Sequence, residues 1–121
     1  MQTPLFIWYP VCSTCKRARQ WLEGQGVPFE VRDIKTQNPT AEEMAGWLAK
    51  GGLPIKRLFN TSGQLYRSMG LKDKLPGMTE EEMLSLLASD GMLVKRPILV
   101  TKNRVLTGFR EAEWAKALGI G

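Results

Sequence analysis

The hydrophobic and polar positions in the first third of the chain predict a strand, a helix and a second strand. Residues 5–9 are almost entirely apolar, which predicts a strand in the middle of a sheet. Residues 14–25 carry apolar side chains at helical spacing, and Gly24 and Gly26 mark the end of that helix. Residues 29–34 then alternate apolar and polar side chains, as strands do. One helix between two strands is the spacing of a right-handed βαβ unit with parallel strands.

The stretch from about residue 40 to residue 91 predicts several helices. Thr40 with Glu43, and Thr79 with Glu82, have the spacing of a capping box, which begins a helix. Between these two helices, the sequence predicts a short helix within 55–59, another within 64–69 and a charged surface patch at 72–74.

The end of the chain predicts two strands and a last helix. The apolar residues 98–101 and the segment 104–107 flank a tight turn, which predicts an antiparallel hairpin. Residues 111–118 predict a helix with Ala112, Ala115 and Leu118 facing inward. The order β-α-β, helical block, β-β-α predicts an α/β protein with a thioredoxin-like fold, a four-stranded mixed sheet and a helical insertion at about 40–91. We expect residues 1–121 to form one domain, because the insertion is too small and interrupted for a core of its own.

Composition and charge narrow the classes of function. The formal net charge is +5, but acidic residues lie between the basic ones, which favours a mildly basic surface or an anion pocket over direct nucleic-acid binding. The apolar stretches are too short to span a membrane, and the N-terminus lacks the features of a signal peptide. We therefore expect a cytoplasmic protein without a membrane partner. With no histidine and two cysteines, the chain lacks a Cys–His pair and a complete zinc site, so we expect no metal and no bound cofactor.

The two cysteines, Cys12 and Cys15, lie between the first strand and the first helix. At such a turn, unpaired backbone N–H groups and the positive helix end favour a thiolate, and Lys16 adds a cation nearby. In a reducing compartment, a disulfide between these cysteines would be transient. We therefore expect Cys12 to be a nucleophile and Cys15 its resolving partner, and a pair of buried, inert cysteines is the alternative.

Five short motifs follow one another along the whole chain. They are Pro-Val-Cys-Ser-Thr-Cys-Lys at 10–16, Asn-Pro-Thr at 38–40, Tyr-Arg-Ser-Met-Gly-Leu at 66–71, Lys-Arg-Pro-Ile-Leu-Val at 95–100 and Gly-Phe-Arg at 108–110. In this order and at these separations, they resemble the ArsC (arsenate reductase) family, including its Spx branch. The resemblance implies a thioredoxin fold with an inserted helical bundle and a redox-active Cys12. It also implies that Pro97 is a cis-proline beside the active site.

The same resemblance assigns candidate oxyanion-binding residues. In family members that reduce arsenate, a cysteine thiolate attacks arsenic while three arginines hold the oxyanion. Two of these positions fall at Arg96 and Arg110, whose guanidinium groups donate in pairs and stay charged, although ordinary surface ion pairs are the alternative. The third falls at Asn60, which has no charge, and the lost contact would cost roughly 1.5–3 kcal/mol of anion binding. Three cations are candidates to replace that charge, but the sequence does not place them: Lys56, Arg57 and Arg67.

The resemblance leaves several functions open. The first is a thiol-dependent oxidoreductase that acts on a small oxyanion or disulfide, with arsenate as the leading named substrate. An external thiol reductant, glutathione with glutaredoxin or thioredoxin, would then restore Cys12 and Cys15. The second is an Spx-like regulator that contacts the RNA polymerase α subunit and is switched by a Cys12–Cys15 disulfide. Spx-type chains usually continue in a charged tail, whereas this sequence stops at Gly121. The third is a family member with neither activity.

Overall fold

A mixed four-stranded sheet forms the centre of the computed structural model, which describes residues 3–120. The strands are β1 (Leu5–Trp8), β2 (Glu30–Asp33), β3 (Ile98–Val100) and β4 (Val105–Thr107), in the spatial order β2-β1-β3-β4. β1 is parallel to β2 and antiparallel to β3, and β3 pairs with β4 as an antiparallel hairpin. This is the predicted thioredoxin-like arrangement, with β1 in the interior of the sheet.

Within residues 3–120, six α-helices pack around the sheet. They are α1 (Ser13–Gly24), α2 (Ala41–Gly51), α3 (Gln64–Ser68), α4 (Leu71–Lys74), α5 (Glu80–Ser89) and α6 (Glu111–Leu118), with 3-10 turns at Ile55–Leu58, Leu75–Gly77 and Gly91–Leu93. The helices α2 to α5 lie between β2 and β3 in the chain, as the predicted insertion does. Both predicted capping boxes are present, since Thr40 Oγ1 accepts the N–H of Glu43 and Thr79 Oγ1 that of Glu82, each at 3.1 Å.

The two faces of the sheet pack against different helices. Because side chains alternate along a strand, Phe6 and Ile7 of β1 point to opposite faces. Phe6 packs in a cluster with α1 and α6, through Leu22 and Trp114. Ile7 belongs to the other cluster, where the sheet packs against the helical insertion. β1 thus has a packed face on either side, and the chain runs from its end at Trp8 through Cys12 into α1.

One sequence-based expectation is confirmed here and another is wrong. The charged residues 72–74 are exposed, as the predicted surface patch requires, and they form a helical turn that the buried Leu71 and Leu75 hold in place. In α6, Ala112 is exposed and the expectation that it faces inward is wrong. The large Trp114 takes the inward position, where its Nε1 donates to the Gly108 carbonyl at 3.0 Å and its ring lies 5.1 Å from that of Phe109. Separately, none of the helices within residues 3–120 is long and apolar enough to cross a bilayer.

Candidate active site

Cys12 is the residue that caps the N-terminus of α1. Its backbone is extended, with φ −77° and ψ 121°, so the chain turns from β1 into the helix at this residue. Its N–H donates to the Tyr9 carbonyl at 2.9 Å, and its own carbonyl accepts the N–H of Lys16 at 3.0 Å. These two bonds fix the half-buried Cys12 thiol at the first turn of α1, where the sequence places it.

The surroundings of Cys12 favour its thiolate. Partial burial acts to raise the pKa of the Cys12 thiol, but the backbone N–H groups of Cys15 and Thr14, the Cys15 thiol and the positive charge of Arg96 together lower it. The cation acting on the sulfur is therefore Arg96, which lies far away in the sequence. Lys16 contributes its backbone to the turn while its side chain is exposed, and its supporting role stays a prediction.

Cys15 differs sharply from Cys12. Its side chain is wholly buried, and its sulfur accepts the N–H of Tyr9 at 3.5 Å. Burial, together with its hydrogen bond to Cys12 and the negative charge there, raises the pKa of the Cys15 thiol to about 12. Both cysteines are free thiols in this structure. The pair thus combines a sulfur that ionises easily with one that keeps its proton.

Arg96 is held beside Cys12 by several contacts. Its guanidinium group lies 5.2 Å from the centre of the Tyr9 ring and donates to the carbonyls of Met92 and Val94 at 3.3 and 3.4 Å. The Arg96–Pro97 peptide bond is cis, the isomer that the resemblance implies, and Pro97 is buried. Arg96 is therefore oriented before any ligand arrives.

A pocket of about 380 Å³ opens next to the first turn of α1, and we call it the cationic pocket. Its lining includes five positively charged side chains: Lys56, Arg57, Lys95, Arg96 and Arg110. Thr14 of α1 also lines it, and Glu113 is the acidic residue in the lining. Within residues 3–120, the ion pairs are Arg19–Glu23 and Arg32–Glu43, so none of the five cations is neutralised by a carboxylate within 4.0 Å. The pocket is therefore suited to anions.

The structure brings some of the predicted oxyanion-binding residues together and separates others. Arg96 and Arg110 share the cationic pocket, whereas Asn60 lines an adjoining groove that meets the pocket at Arg96. Of the three candidate replacements for the missing charge, Lys56 and Arg57 line the cationic pocket. The third, Arg67, lies in another groove, where it donates to the Ser62 carbonyl at 3.2 Å.

Sequence reasoning gave no role to Lys95. The available signal was its position next to Arg96, at the point where the chain enters β3. Its backbone N–H donates to the Leu58 carbonyl at 2.7 Å, which connects it to the turn that carries Lys56 and Arg57. As for metals, no group of three or more Cys, Asp or Glu side chains in residues 3–120 is arranged to hold an ion.

We expect Arg96→Gln to raise the pKa of Cys12, because it removes the cation that acts on the sulfur. Alkylation of Cys12 by iodoacetamide near pH 7 should become several-fold slower, since the thiolate is the reactive form. Peptide mass spectrometry across a pH series measures this rate separately for Cys12 and Cys15. Arg96→Lys, which keeps the charge, should retain most of the reactivity. Arg110→Gln is the matched loss of one charge in the same pocket, and an effect as large as that of Arg96→Gln would contradict the assignment.

Comparisons of the sequence and of the structure with known proteins each find relatives that span most of this chain. The sequence model of the ArsC family matches residues 7–117. The uncharacterized protein YusI of Bacillus subtilis is 47% identical over 109 residues, covering 90% of this chain and 92% of that protein. The crystal structure of a possible arsenate reductase from Streptococcus mutans is 45% identical, with a TM-score of 0.83, covering 91% of this chain and 93% of that one. The global transcriptional regulator Spx of Enterococcus faecalis is 28% identical over 105 residues, covering 86% of this chain and 77% of that protein.

Proposed function

Because this chain belongs to the ArsC family, we propose that it is a thiol-dependent oxidoreductase with Cys12 as nucleophile and Cys15 as resolving thiol. The observation that carries the proposal is the pairing of two unlike thiols at one helix start. Cys12 has a lowered pKa and lies beside Arg96, while Cys15 is buried and protonated. This division of roles is what a two-step exchange requires, since one thiol must attack first and the other only afterwards.

The first step is attack by the Cys12 thiolate on the oxidised atom of the substrate. With arsenate, a bond forms between Cys12 Sγ and arsenic, and one arsenate oxygen leaves as water after protonation. Arsenic remains pentavalent at this stage. Arg96 and Arg110 supply positive charge that counters the oxyanion as it approaches the thiolate, an approach that like charges would otherwise oppose.

The second step belongs to Cys15. Burial raises the pKa of Cys15, and so do the hydrogen bond and the negative charge of Cys12. When Cys12 is bound in the adduct, its negative charge is gone, so the pKa of Cys15 falls and its thiol is more easily deprotonated. Cys15 then attacks Cys12 Sγ, a disulfide forms, and the electron pair of the sulfur–arsenic bond passes to arsenic, which leaves as arsenite. An external dithiol, or two monothiols, returns two electrons and restores both cysteines.

Arsenate is the leading named substrate for this chemistry. The S. mutans relative is described as a possible arsenate reductase, and the cationic pocket holds the two matching arginines. Although Asn60 does not line the pocket, Lys56 and Arg57 do, so charge is not lacking at the site. We also propose a cytoplasmic location, because the mechanism needs thiols that are kept reduced.

A coupled assay tests this proposal. The protein is supplied with arsenate and either glutathione, glutaredoxin and glutathione reductase, or thioredoxin and thioredoxin reductase, and NADPH consumption is followed. We expect turnover with one of the two systems, and none with Cys12→Ser. Reduction of a small disulfide without reduction of arsenate would exclude arsenate and leave the oxidoreductase intact. Absence of Cys12-dependent turnover with every oxidant would contradict the oxidoreductase itself.

The second candidate is an Spx-like regulator that binds the RNA polymerase α subunit and is switched by the Cys12–Cys15 disulfide. The likeness to Spx, whose alignment spans 86% of this chain, favours it, as does the uncharged Asn60 outside the cationic pocket. Immobilised α subunit should then retain the reduced and oxidised forms to different extents, and Cys15→Ser, which cannot form the disulfide, should behave as the reduced form. Equal retention, or none, would exclude this candidate.

A further inference from the structure

We propose that the cationic pocket binds a small organic molecule with two or more anionic groups, one near Arg96 and another held by Lys56 and Arg57. The inference rests on the proposed function for the location of the reacting sulfur. It adds a class of ligand for the pocket beside that sulfur, and it concerns binding alone.

The charge of the pocket exceeds what a single oxyanion needs. Five cations and the carboxylate of Glu113 line it, and no carboxylate lies within 4.0 Å of those cations in residues 3–120. A phosphate-like group carries about −1.5 to −2 charges at neutral pH, so one such group leaves most of the repulsion uncompensated. A ligand with further anionic groups removes more of it.

The size of the pocket agrees with a ligand larger than arsenate. A volume of about 380 Å³ lies within the range of pockets for small organic molecules, roughly 300–1,000 Å³. The partly exposed Phe109 belongs to the lining and offers apolar surface to a carbon framework. Arsenate would occupy only the part of this volume that is next to Arg96.

The cations are distributed along the pocket instead of clustering at the sulfur. Lys56 and Arg57 come from the 3-10 turn of the insertion, whereas Lys95, Arg96 and Arg110 come from the ends of β3 and β4. Arg96 is the cation whose charge acts on the Cys12 thiol, and Lys56 and Arg57 reach the pocket from a different segment of the chain.

Backbone contacts tie the two sides of the pocket together. The Lys95 N–H donates to the Leu58 carbonyl at 2.7 Å, and Phe59 and Val94 form an isolated β-bridge. The pocket is therefore formed before a ligand binds, and the positions of the two groups of cations select a ligand with separated charges.

A series of unreactive three-carbon ligands with one, two and three anionic groups tests the proposal. Isothermal titration calorimetry on Cys12→Ser protein, which cannot react, measures the Kd of glycerol 3-phosphate, 3-phosphoglycerate and 2,3-bisphosphoglycerate at about 0.15 M ionic strength, where weak surface attraction is screened. The ligands share a carbon framework and differ in the number of anionic groups. We expect each added group to tighten binding by about tenfold, the gain from roughly one charge-assisted contact.

Two matched double variants assign the effect to the pocket. Lys56→Gln with Arg57→Gln should remove most of the affinity gained with each added anionic group, while the Kd of glycerol 3-phosphate changes by less than about twofold. Lys72→Gln with Lys74→Gln removes the same charge from exposed α4 outside the cationic pocket, and it should leave the differences in Kd between the three ligands unchanged. Equal Kd values for the three ligands, or a gain in affinity that persists without Lys56 and Arg57, would overturn the proposal. Neither outcome affects Cys12-dependent turnover, so the two proposals fail separately.

Discussion

Replacing Cys12 with serine is expected to abolish turnover with every oxidised substrate. A serine hydroxyl does not ionise near neutral pH and cannot form a disulfide, so neither step of the mechanism remains. The loss should reach the uncatalysed background, at least about a thousandfold in kcat, as for other essential nucleophiles. The assay is the coupled turnover measurement, accompanied by a thermal unfolding curve that shows whether the half-buried Cys12 side chain is replaced without loss of the fold.

Cys15→Ser is the matched control, because it changes the same atom in the second thiol. This variant keeps the Cys12 nucleophile, so it should form the covalent adduct but fail to release it by forming a disulfide. Intact-protein mass spectrometry should therefore detect an adduct on Cys15→Ser and none on Cys12→Ser. Adduct formation at Cys15 in the Cys12→Ser protein would show that the two roles are assigned in the wrong order.

Replacing Gly91 with alanine is expected to cause a large loss of stability. Gly91 is buried at the start of the last 3-10 turn, where the backbone passes close to the segment that follows β2. A Cβ at position 91 would overlap the Ile34 carbonyl oxygen and lie 2.7 Å from Asn38 Oδ1. Neither neighbour moves easily, since the Ile34 N–H bonds to the Trp8 carbonyl and the Asn38 amide to the Ala88 carbonyl.

We expect Gly91→Ala to reduce the free energy of unfolding by about 3 kcal/mol, the upper part of the usual range for overpacking. The melting temperature should fall by roughly 10 °C or more in a chain of this size. Gly46→Ala is the control, because Gly46 lies within α2 and has open space around its Cβ position. That substitution should stabilise the protein by about 0.5–1 kcal/mol, since alanine is the better helix former. Urea unfolding of both variants measures the two values, and equal effects would refute the close contact at Gly91.

The elements that sequence predicted well are those whose signal is local. The capping boxes at Thr40 and Thr79 need only residues three positions apart, and both are present. The hairpin of β3 and β4 depends on two short apolar segments around one turn, and it also formed as predicted. In α6, Ala112 and Trp114 are two residues apart and so point to nearly opposite sides of the helix, and with the larger Trp114 buried, Ala112 is exposed.

The features of the candidate site also fall into those with a local sequence signal and those that depend on the packing of distant segments. The position of Cys12 at the start of α1 follows from the strand and helix on either side of it, so the sequence predicts it. The complete burial of Cys15 and the cation–π contact of Arg96 with Tyr9 depend on packing between distant segments. The placement of Lys56 and Arg57 in the cationic pocket likewise depends on how the insertion folds back over the sheet. The sequence predicts a short helix within 55–59, but that local pattern does not show that Lys56 and Arg57 lie in the same pocket as the distant Arg96.

The central claim is that the pKa of Cys12 lies below that of an ordinary thiol, while Cys15 keeps its proton. The most direct measurement is the rate of alkylation of each cysteine in the folded, reduced protein across a pH series, resolved by peptide mass spectrometry. Because a lower pKa moves the rise of the rate to lower pH, the account predicts a midpoint for Cys12 below the value of about 8.5 of an ordinary thiol. It also predicts no appreciable reaction of the buried Cys15 over the same range. A Cys12 midpoint at or above the ordinary value, or faster reaction of Cys15, would contradict it.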